Sequence, residues 1–323
     1  MRLSTLILFF LICQSLPAQA MPAGFADAPE ARNQAASKYI KISTNLVTVP
    51  VSVTDGQGEN VSQLGVQDFE IEEDGRIEQV SKLVQAGASP LQLVLVFDLS
   101  GSIYSDFEFE RAAASRFIEK VWKQGDMVSI ITISNKPQVH LADSTSPEEA
   151  LAALARLEPK EDATAFFDAV VAAAELQSLS TAPGTRQAAV IFSDGEDNRS
   201  DSAFSDALSS IRRSNTVVYS INPSGASVRL NEISKAGQLQ LASLAGKTGG
   251  AAFVSNRLEE LDGIYDRIAF ELRAQYLLSY YSSNTLTDGS FRKISVTVPG
   301  KPGLHVRARE GYYAIGVTLQ TQK

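Results

Sequence analysis

The chain has 323 residues, which is enough for about two domains with a sizeable buried core. Hydrophobic residues make up 44% and charged residues 20% of the sequence, so wholesale disorder, a collagen-like chain and a coiled coil are excluded. The 37 acidic residues outnumber the 29 basic ones, and the net charge of −8 argues against nucleic acid as a partner.

The N-terminus has the pattern of a secretory signal peptide. One positive charge precedes an apolar run over residues 6–16, and a small-x-small cleavage site ends at Ala20. The run is much shorter than the roughly 20 residues that span a bilayer, so we expect residues 1–20 to be cleaved and the mature chain to lack a transmembrane segment. The only cysteine, Cys13, would leave with this signal, which excludes disulfides and cysteine-based metal sites. We therefore expect an exported protein that is periplasmic, secreted or on the cell surface.

An antiparallel β segment is predicted next. Residues 21–38 have no clear period and indicate a flexible lead-in, and residues 39–87 form the predicted N-terminal β segment. Between residues 47 and 53 valines alternate with polar residues or proline, which is typical of a strand, and Pro50 predicts that this strand lies at an edge. The Asp74-Gly75 pair predicts a hairpin turn.

An α/β domain is predicted over residues 88–275. Its strands are continuous apolar runs at residues 93–97, 128–133, 188–192, 217–221 and 251–254. Its helices are predicted at residues 147–157, 164–179, 202–211, 238–245 and 258–274, after a first helix that begins with a capping box of Ser105 and Glu108. Such runs indicate strands buried on both faces, and their alternation with helices predicts a doubly wound, mostly parallel sheet of Rossmann-like type.

A C-terminal β segment is predicted over residues 276–316, followed by a tail at 317–323. Its apolar residues alternate with polar ones, as they do in the N-terminal β segment. Two-stranded pieces are marginally stable in water, so we expect the two flanking segments to form one β-sandwich into which the α/β domain is inserted.

Oxygen donors follow two of the predicted buried strands. Asp98, Ser100 and Ser102 come at alternate positions after the first strand, and Asp194 ends a later one. Thr164 lies at the start of a predicted helix between them. Ligands of open α/β sheets bind at the carboxyl ends of the strands, and carboxylates and hydroxyls are the donors that Mg²⁺ prefers.

In order and placement these residues resemble the metal-ion-dependent adhesion site (MIDAS) of von Willebrand factor A domains. In that family the two serines ligate Mg²⁺ directly, the threonine does so in the ligated form, and the two aspartates act largely through water. The resemblance therefore implies direct ligation by Ser100, Ser102 and Thr164, and water-mediated ligation by Asp98 and Asp194. The flanking β segments also resemble a bacterial group of exported proteins related to this family.

The implied ligand set has a consequence for the partner. Neutral hydroxyls leave the charge of the ion incompletely neutralised and one coordination position free, so the expected last ligand is an Asp or Glu carboxylate of a protein partner. The expected ion is Mg²⁺, with Mn²⁺ or Ca²⁺ as alternatives. The predicted function is metal-dependent adhesion or scaffolding.

Two other functions stay open at this point. The α/β domain could hold its metal for stability alone, or it could be a metal-dependent hydrolase. The sequence speaks against an enzyme, because it has no Gly-x-Ser-x-Gly elbow and no Asp-x-Asp pair after the first strand. His140 and His305 fall in different predicted domains and are interpreted as structural residues.

Three further acidic features are weighed against simpler roles. Ser105 and Asp106 occupy the positions where integrin β-type sites have two acidic residues for an additional cation, and since only one is acidic we interpret them as helix-capping residues. Asp168 either supports the metal site or caps a helix at the surface. The acidic cluster at residues 196–201 is interpreted as a solvated loop.

Overall fold

The structure, a computed structural model, describes residues 45–99, 107–159, 163–179, 184–223, 231–255, 257 and 259–315. Within these residues a six-stranded sheet is accompanied by two four-stranded antiparallel sheets. None of the helices in the described part is long and apolar enough to cross a membrane.

The elements are numbered in chain order. The strands are β1 Leu46–Thr54, β2 Glu70–Glu73, β3 Arg76–Glu78, β4 Val80–Gln85, β5 Leu91–Asp98, β6 Met127–Ile133, β7 Gln138–Ser144, β8 Arg186–Phe192, β9 Val217–Asn222, β10 Ala252–Val254, β11 Tyr276–Tyr281, β12 Phe291–Thr297, β13 His305–Ala308 and β14 Gly311–Tyr313. The helices are α1 Phe107–Val121, α2 Pro147–Ala155, α3 Phe166–Leu179, α4 Phe204–Arg213, α5 Glu232–Thr248 and α6 Glu260–Ala274.

The central sheet has the order β10-β9-β8-β5-β6-β7, and all its neighbouring pairs are parallel except β6 with β7. Every residue of β5 is buried, and its side chains alternate between two cores. Leu93 and Phe97 pack with α1, α2 and α6, whereas Val94 and Val96 pack with α3, α4 and α5. Helices therefore cover both faces, which confirms the predicted doubly wound fold.

Two elements of this domain differ from the prediction. Strand β7 was not predicted, because six of its seven residues are exposed or half-buried in no strict alternation and the strand carries a bulge at its pairing with β6. Helix α5 begins at Glu232 rather than at residue 238, because Asn231 caps it through a hydrogen bond from the Ser234 N–H at 2.8 Å. Ser105, the predicted cap of α1, lies outside the described residues.

The flanking β segments form two sheets that share one core. One sheet has the order β13-β1-β11-β4 and the other β14-β12-β2-β3, so each contains strands from both sides of the α/β domain. Val49 and Val51 of β1 pack in the same cluster as Ile71 of β2, Leu278 of β11 and Ile294 of β12. The two flanking segments thus form a joint β-sandwich, as the fold prediction expected.

The prediction that β1 is an edge strand is wrong, because β1 pairs with β11 on one side and with β13 on the other. Proline lacks the N–H that a central strand needs. Pairing with β13 begins only at Val51, however, so no residue of β13 stands opposite Pro50. On that side the Arg309 side chain donates to the Thr48 carbonyl at 3.0 Å. The proline is tolerated in an interior strand because one neighbour ends before reaching it.

A buried carboxylate joins α6 to the sandwich. Glu271 is 1% exposed, and its Oε1 accepts hydrogen bonds from Ser52 Oγ of β1 and from Tyr219 OH of β9, both at 2.8 Å. Its Oε2 forms an ion pair with Arg307 of β13. The same carboxylate therefore bonds to the central sheet and to the sandwich.

Candidate metal centre

Asp98 ends β5 at the carboxyl edge of the central sheet. It is 1% exposed, and its Oδ2 accepts a hydrogen bond from Ser193 Oγ at 2.7 Å. Ser193 is fully buried after the end of β8, and its Oγ accepts from the Gly195 N–H at 3.0 Å. Because that N–H holds the hydroxyl, Ser193 points its proton at Asp98 and fixes the carboxylate.

Asp194 follows Ser193 and is 8% exposed. Its Oδ1 accepts from the Glu196 N–H at 3.0 Å, which closes a tight turn. Gly195 has a φ of 78°, and a Cβ there would lie 2.5 Å from the carbonyl oxygen of Gly237 in α5. Only glycine permits both this backbone conformation and this close approach of α5 to the loop.

Thr164 is 5% exposed and lies just before α3. Its N–H donates to Asn198 Oδ1 at 2.9 Å, and its carbonyl accepts from the Asn198 N–H at 3.1 Å. The Ala165 N–H, one residue later, donates to the Ser134 carbonyl after β6 at 2.9 Å. The threonine segment is thus fastened both to the loop after β8 and to the end of β6.

The loop after β8 also caps α3. The Phe167 N–H donates to Asp197 Oδ2 at 3.0 Å, and Asp168 accepts from the N–H groups of Asp201 and Ser202 at 3.0 and 2.9 Å. Burial raises the pKa of Asp168, but the hydrogen bonds from Ser202 and Asp201 outweigh it, so the net pKa is lowered. Asp168 therefore binds the backbone of the loop that follows Asp194, and since neither N–H group belongs to a helix, Asp168 does not act as a helix cap.

The predicted site residues fall into two groups. Asp98, Thr164 and Asp194 lie in three segments that the hydrogen bonds of Ser193 and Asn198 join at the carboxyl edge. Ser100 and Ser102 lie outside the described residues, as do Ser105 and Asp106, the two positions weighed for a second cation.

The donor chemistry fits a hard divalent cation. The described part of the site offers two buried carboxylates and a buried hydroxyl, and oxygen donors of this kind suit Mg²⁺ better than softer metals. His140 lies on β7, where its Nε2 is 2.8 Å from Thr132 Oγ1, and His305 lies on β13 of the sandwich. Among the described residues no group of three or more His, Cys, Asp or Glu side chains could hold a metal ion.

Sequence reasoning missed two residues that organise this edge. Ser193 could have been noticed, because a serine directly after an apolar strand and before an aspartate can bond to the neighbouring strand end. Asn198 could not, because its partner Thr164 is 34 residues away in sequence. The interpretation of residues 196–201 as a solvated loop needs correction, since Asp197 and Asn198 bond to the start of α3.

Comparison with known proteins identifies the central region. The sequence profile of the von Willebrand factor type A domain matches residues 92–267. No curated protein matches the chain.

Solved structures show only distant likeness. Proximal thread matrix protein 1 from the mussel byssus is 16% identical with a TM-score of 0.49, over 69% of this chain and 50% of that chain. A structure of the same mussel protein with a zinc-occupied MIDAS motif is 18% identical with a TM-score of 0.47, over 61% and 48%. BatB from Bacteroides thetaiotaomicron is 15% identical with a TM-score of 0.42, over 56% and 98%. The match spans about half of the mussel protein, and at these scores none of the three bears on function.

Proposed function

We propose that this chain, which belongs to the von Willebrand factor type A domain family, binds a divalent cation at the candidate metal centre and through it a carboxylate of a partner protein. The proposed ligands are Ser100, Ser102 and Thr164 directly, and Asp98 and Asp194 through water. Mg²⁺ is the expected ion, with Mn²⁺ or Ca²⁺ as alternatives. The protein would act in adhesion or scaffolding, with no catalytic step.

One observation carries the proposal. Hydrogen bonds run from Asp98 through Ser193 to the Asp194 loop, and from that loop through Asn198 to Thr164. Donors from three segments far apart in sequence are therefore held at one edge by bonds that do not involve a metal. Such preorganisation reduces the conformational entropy that ion binding costs.

The residues of the chain have distinct roles in this proposal. Ser193 holds Asp98, the Gly195 turn holds Asp194, and Asn198 holds the backbone of Thr164, so that each donor keeps its direction. A bound divalent cation would supply the positive charge that attracts the partner's carboxylate. Uncharged hydroxyl ligands neutralise that charge only in part, which favours an anionic group from the partner.

Export is part of the proposal. It is supported by the signal-peptide pattern of residues 1–20, which lie outside the described residues. We propose a location in the periplasm, in the medium or on the cell surface, where adhesion and scaffolding partners are met.

Metal binding is tested by thermal unfolding with and without Mg²⁺. An ion that binds only the folded chain stabilises it by about 2.7 kcal/mol at 100 times its dissociation constant. The wild-type melting temperature should rise with Mg²⁺, and the isosteric variant Asp98→Asn should lose the rise. Asp201→Asn, which makes the same charge change at an exposed position of the loop after β8, is the matched control and should keep it. An undiminished Mg²⁺ response in Asp98→Asn would show that the site is assigned wrongly.

The partner's carboxylate is tested separately. Immobilised chain should retain proteins from a cell-envelope extract in Mg²⁺ and release them in EDTA. Conversion of the extract's carboxyl groups to amides with a carbodiimide and glycinamide should abolish retention, and beads carrying Asp98→Asn should retain nothing specific. If Mg²⁺ raises the melting temperature but amidated extract is retained as well as untreated extract, the metal is structural and the adhesion function is wrong.

A further inference from the structure

A groove lies at the end of the central sheet where α5 passes over the carboxyl ends of β9 and β10. Its volume is about 470 Å³, which is within the range of small-molecule sites. It is lined by Ser220, Asn222, Lys235, Gln238, Leu239, Leu241, Ala242, Ala252, Phe253 and Val254. None of these residues belongs to the candidate metal centre, so the groove is a distinct feature of the sheet edge.

The walls of the groove are apolar. Leu239, Leu241 and Ala242 come from α5, and Ala252 and Val254 come from the end strand β10. Leu239 is 71% exposed and Val254 is 40% exposed, so apolar surface that could be covered is left in contact with water. A ligand with an apolar body would gain free energy by covering it.

The floor of the groove holds a buried hydroxyl with no partner. Ser220 is 1% exposed, and within the described part of the chain its Oγ makes no hydrogen bond. Its neighbours Tyr219 and Ile221 pack in the core on the α6 face, which leaves Ser220 facing α5. A buried hydroxyl without a partner carries a free-energy cost, and a hydrogen-bonding group of a ligand in the groove would remove that cost.

The charges at the groove favour a neutral ligand. Among the described residues that line the groove, Lys235 alone is charged, and its Nζ is paired with Glu232 Oε1 at 2.9 Å. Both side chains are at the rim, 53% and 91% exposed, so they stay solvated. Since the described residues place no charged group at the floor, an ionised ligand group would lose its hydration there without compensation.

We propose that this groove binds a small neutral molecule with an apolar ring or chain and a single hydroxyl or carbonyl group, which forms a hydrogen bond with Ser220 Oγ. The apolar body of the ligand lies between α5 and β10, and its polar group lies at the floor of the groove. None of the proposed metal ligands takes part in this site.

The probes for the test are p-cresol and toluene, which differ by one hydroxyl. Their dissociation constants for the whole chain are measured by chemical-shift titration up to the solubility of each probe. The wild type should bind p-cresol at least about fivefold more tightly than toluene, because the hydroxyl of p-cresol forms a hydrogen bond with Ser220 Oγ. Without that hydrogen bond, the hydroxyl would lose its hydration in the groove and p-cresol would bind less tightly than toluene. If the two probes bind equally, if toluene binds more tightly, or if neither binds, the proposal is overturned.

Two variants locate the binding. Ser220→Ala should abolish the preference for p-cresol, and Ala242→Phe, a change at an exposed position of α5, should block both probes. Because Ser220 Oγ has no partner in the described residues, Ser220→Ala should also melt at or above the wild-type temperature. A markedly lower melting temperature would show that the hydroxyl is already satisfied, and an unchanged preference for p-cresol would show that it is not the group recognised.

Discussion

Replacing Gly195 with alanine tests whether α5 and the loop that carries Asp194 are in contact as described. The new methyl group would lie 2.5 Å from the Gly237 carbonyl oxygen and 2.8 Å from Leu241 Cγ. The first of these neighbours is backbone and cannot rotate away. The helix or the loop therefore has to move, and the position of Asp194 changes with it.

The magnitude has two parts. A left-handed φ of 78° costs an alanine roughly 1–2 kcal/mol relative to glycine. The steric overlap adds about 1–3 kcal/mol, as other overpacked sites do. We expect Gly195→Ala to lower the free energy of unfolding by about 2–5 kcal/mol in total.

Gly125 is the matched control. It also has a left-handed φ, of 93°, but a Cβ there would meet no atom within 4 Å. Gly125→Ala should therefore show only the conformational cost of about 1–2 kcal/mol. Urea unfolding followed by circular dichroism measures both variants, and equal slopes would show that the unfolded states are comparable.

The difference in unfolding free energy between Gly195→Ala and Gly125→Ala shows whether α5 packs against the loop. If Gly195→Ala loses no more stability than Gly125→Ala, within about 0.5 kcal/mol, α5 does not press on the loop. The Mg²⁺-induced rise in melting temperature should fall in Gly195→Ala and persist in Gly125→Ala. If Gly195→Ala is strongly destabilised but keeps the full Mg²⁺-induced rise in melting temperature, the packing of α5 on the loop does not affect metal binding.

Ser193→Ala should lower the free energy of unfolding by about 2–4 kcal/mol and weaken Mg²⁺ binding, because Asp98 loses its donor and a buried N–H its acceptor; a loss under about 0.5 kcal/mol in urea unfolding would contradict this. The lowered pKa of Asp168 means that its contribution is present above its ordinary pKa and is lost as the pH falls through the lowered one. When the pH is lowered below about 4, the free energy of unfolding should therefore fall less in Asp168→Asn than in the wild type. Parallel curves of stability against pH would show that the ionised Asp168 carboxylate does not stabilise the fold. Glu271→Gln should cost about 2–3 kcal/mol, since the pairing of Arg307 and the acceptor for two hydroxyls are impaired; an unchanged urea midpoint would show that this link does not stabilise the junction.

Much of the fold could be predicted because burial dictates the pattern. Four of the apolar runs became β5, β6, β8 and β9, since a strand covered on both faces tolerates few polar residues. The fifth became β10, but the expectation that it is buried on both faces is wrong, because β10 is the end strand of the sheet and two of its three residues are exposed. The Asp74-Gly75 turn was also correct, with left-handed φ values of 48° and 84°. Strand β7 was not predicted because it lies at the edge of the sheet, where its side chains contact solvent and no strict alternation of apolar and polar residues is required.

The candidate site was only partly predictable. The positions of Asp98 and Asp194 followed from the rule that strand carboxyl ends share one edge. The bonds of Ser193 and Asn198 depend on which strands become neighbours, and local sequence does not contain that information. For the same reason the start of α5 was predicted too late: Gly237 interrupts the helical pattern, yet it is required where the helix meets the loop after β8.

The pairing of β4 with β11 has a mechanical consequence. Gln85 stands opposite Tyr276 in this antiparallel ladder, so the chain enters and leaves the α/β domain at neighbouring points. Tension applied near residues 45 and 315 would pass across the ladders of the sandwich and bypass the inserted domain. A protein under such a load would keep its central sheet relaxed until the sandwich had been pulled open.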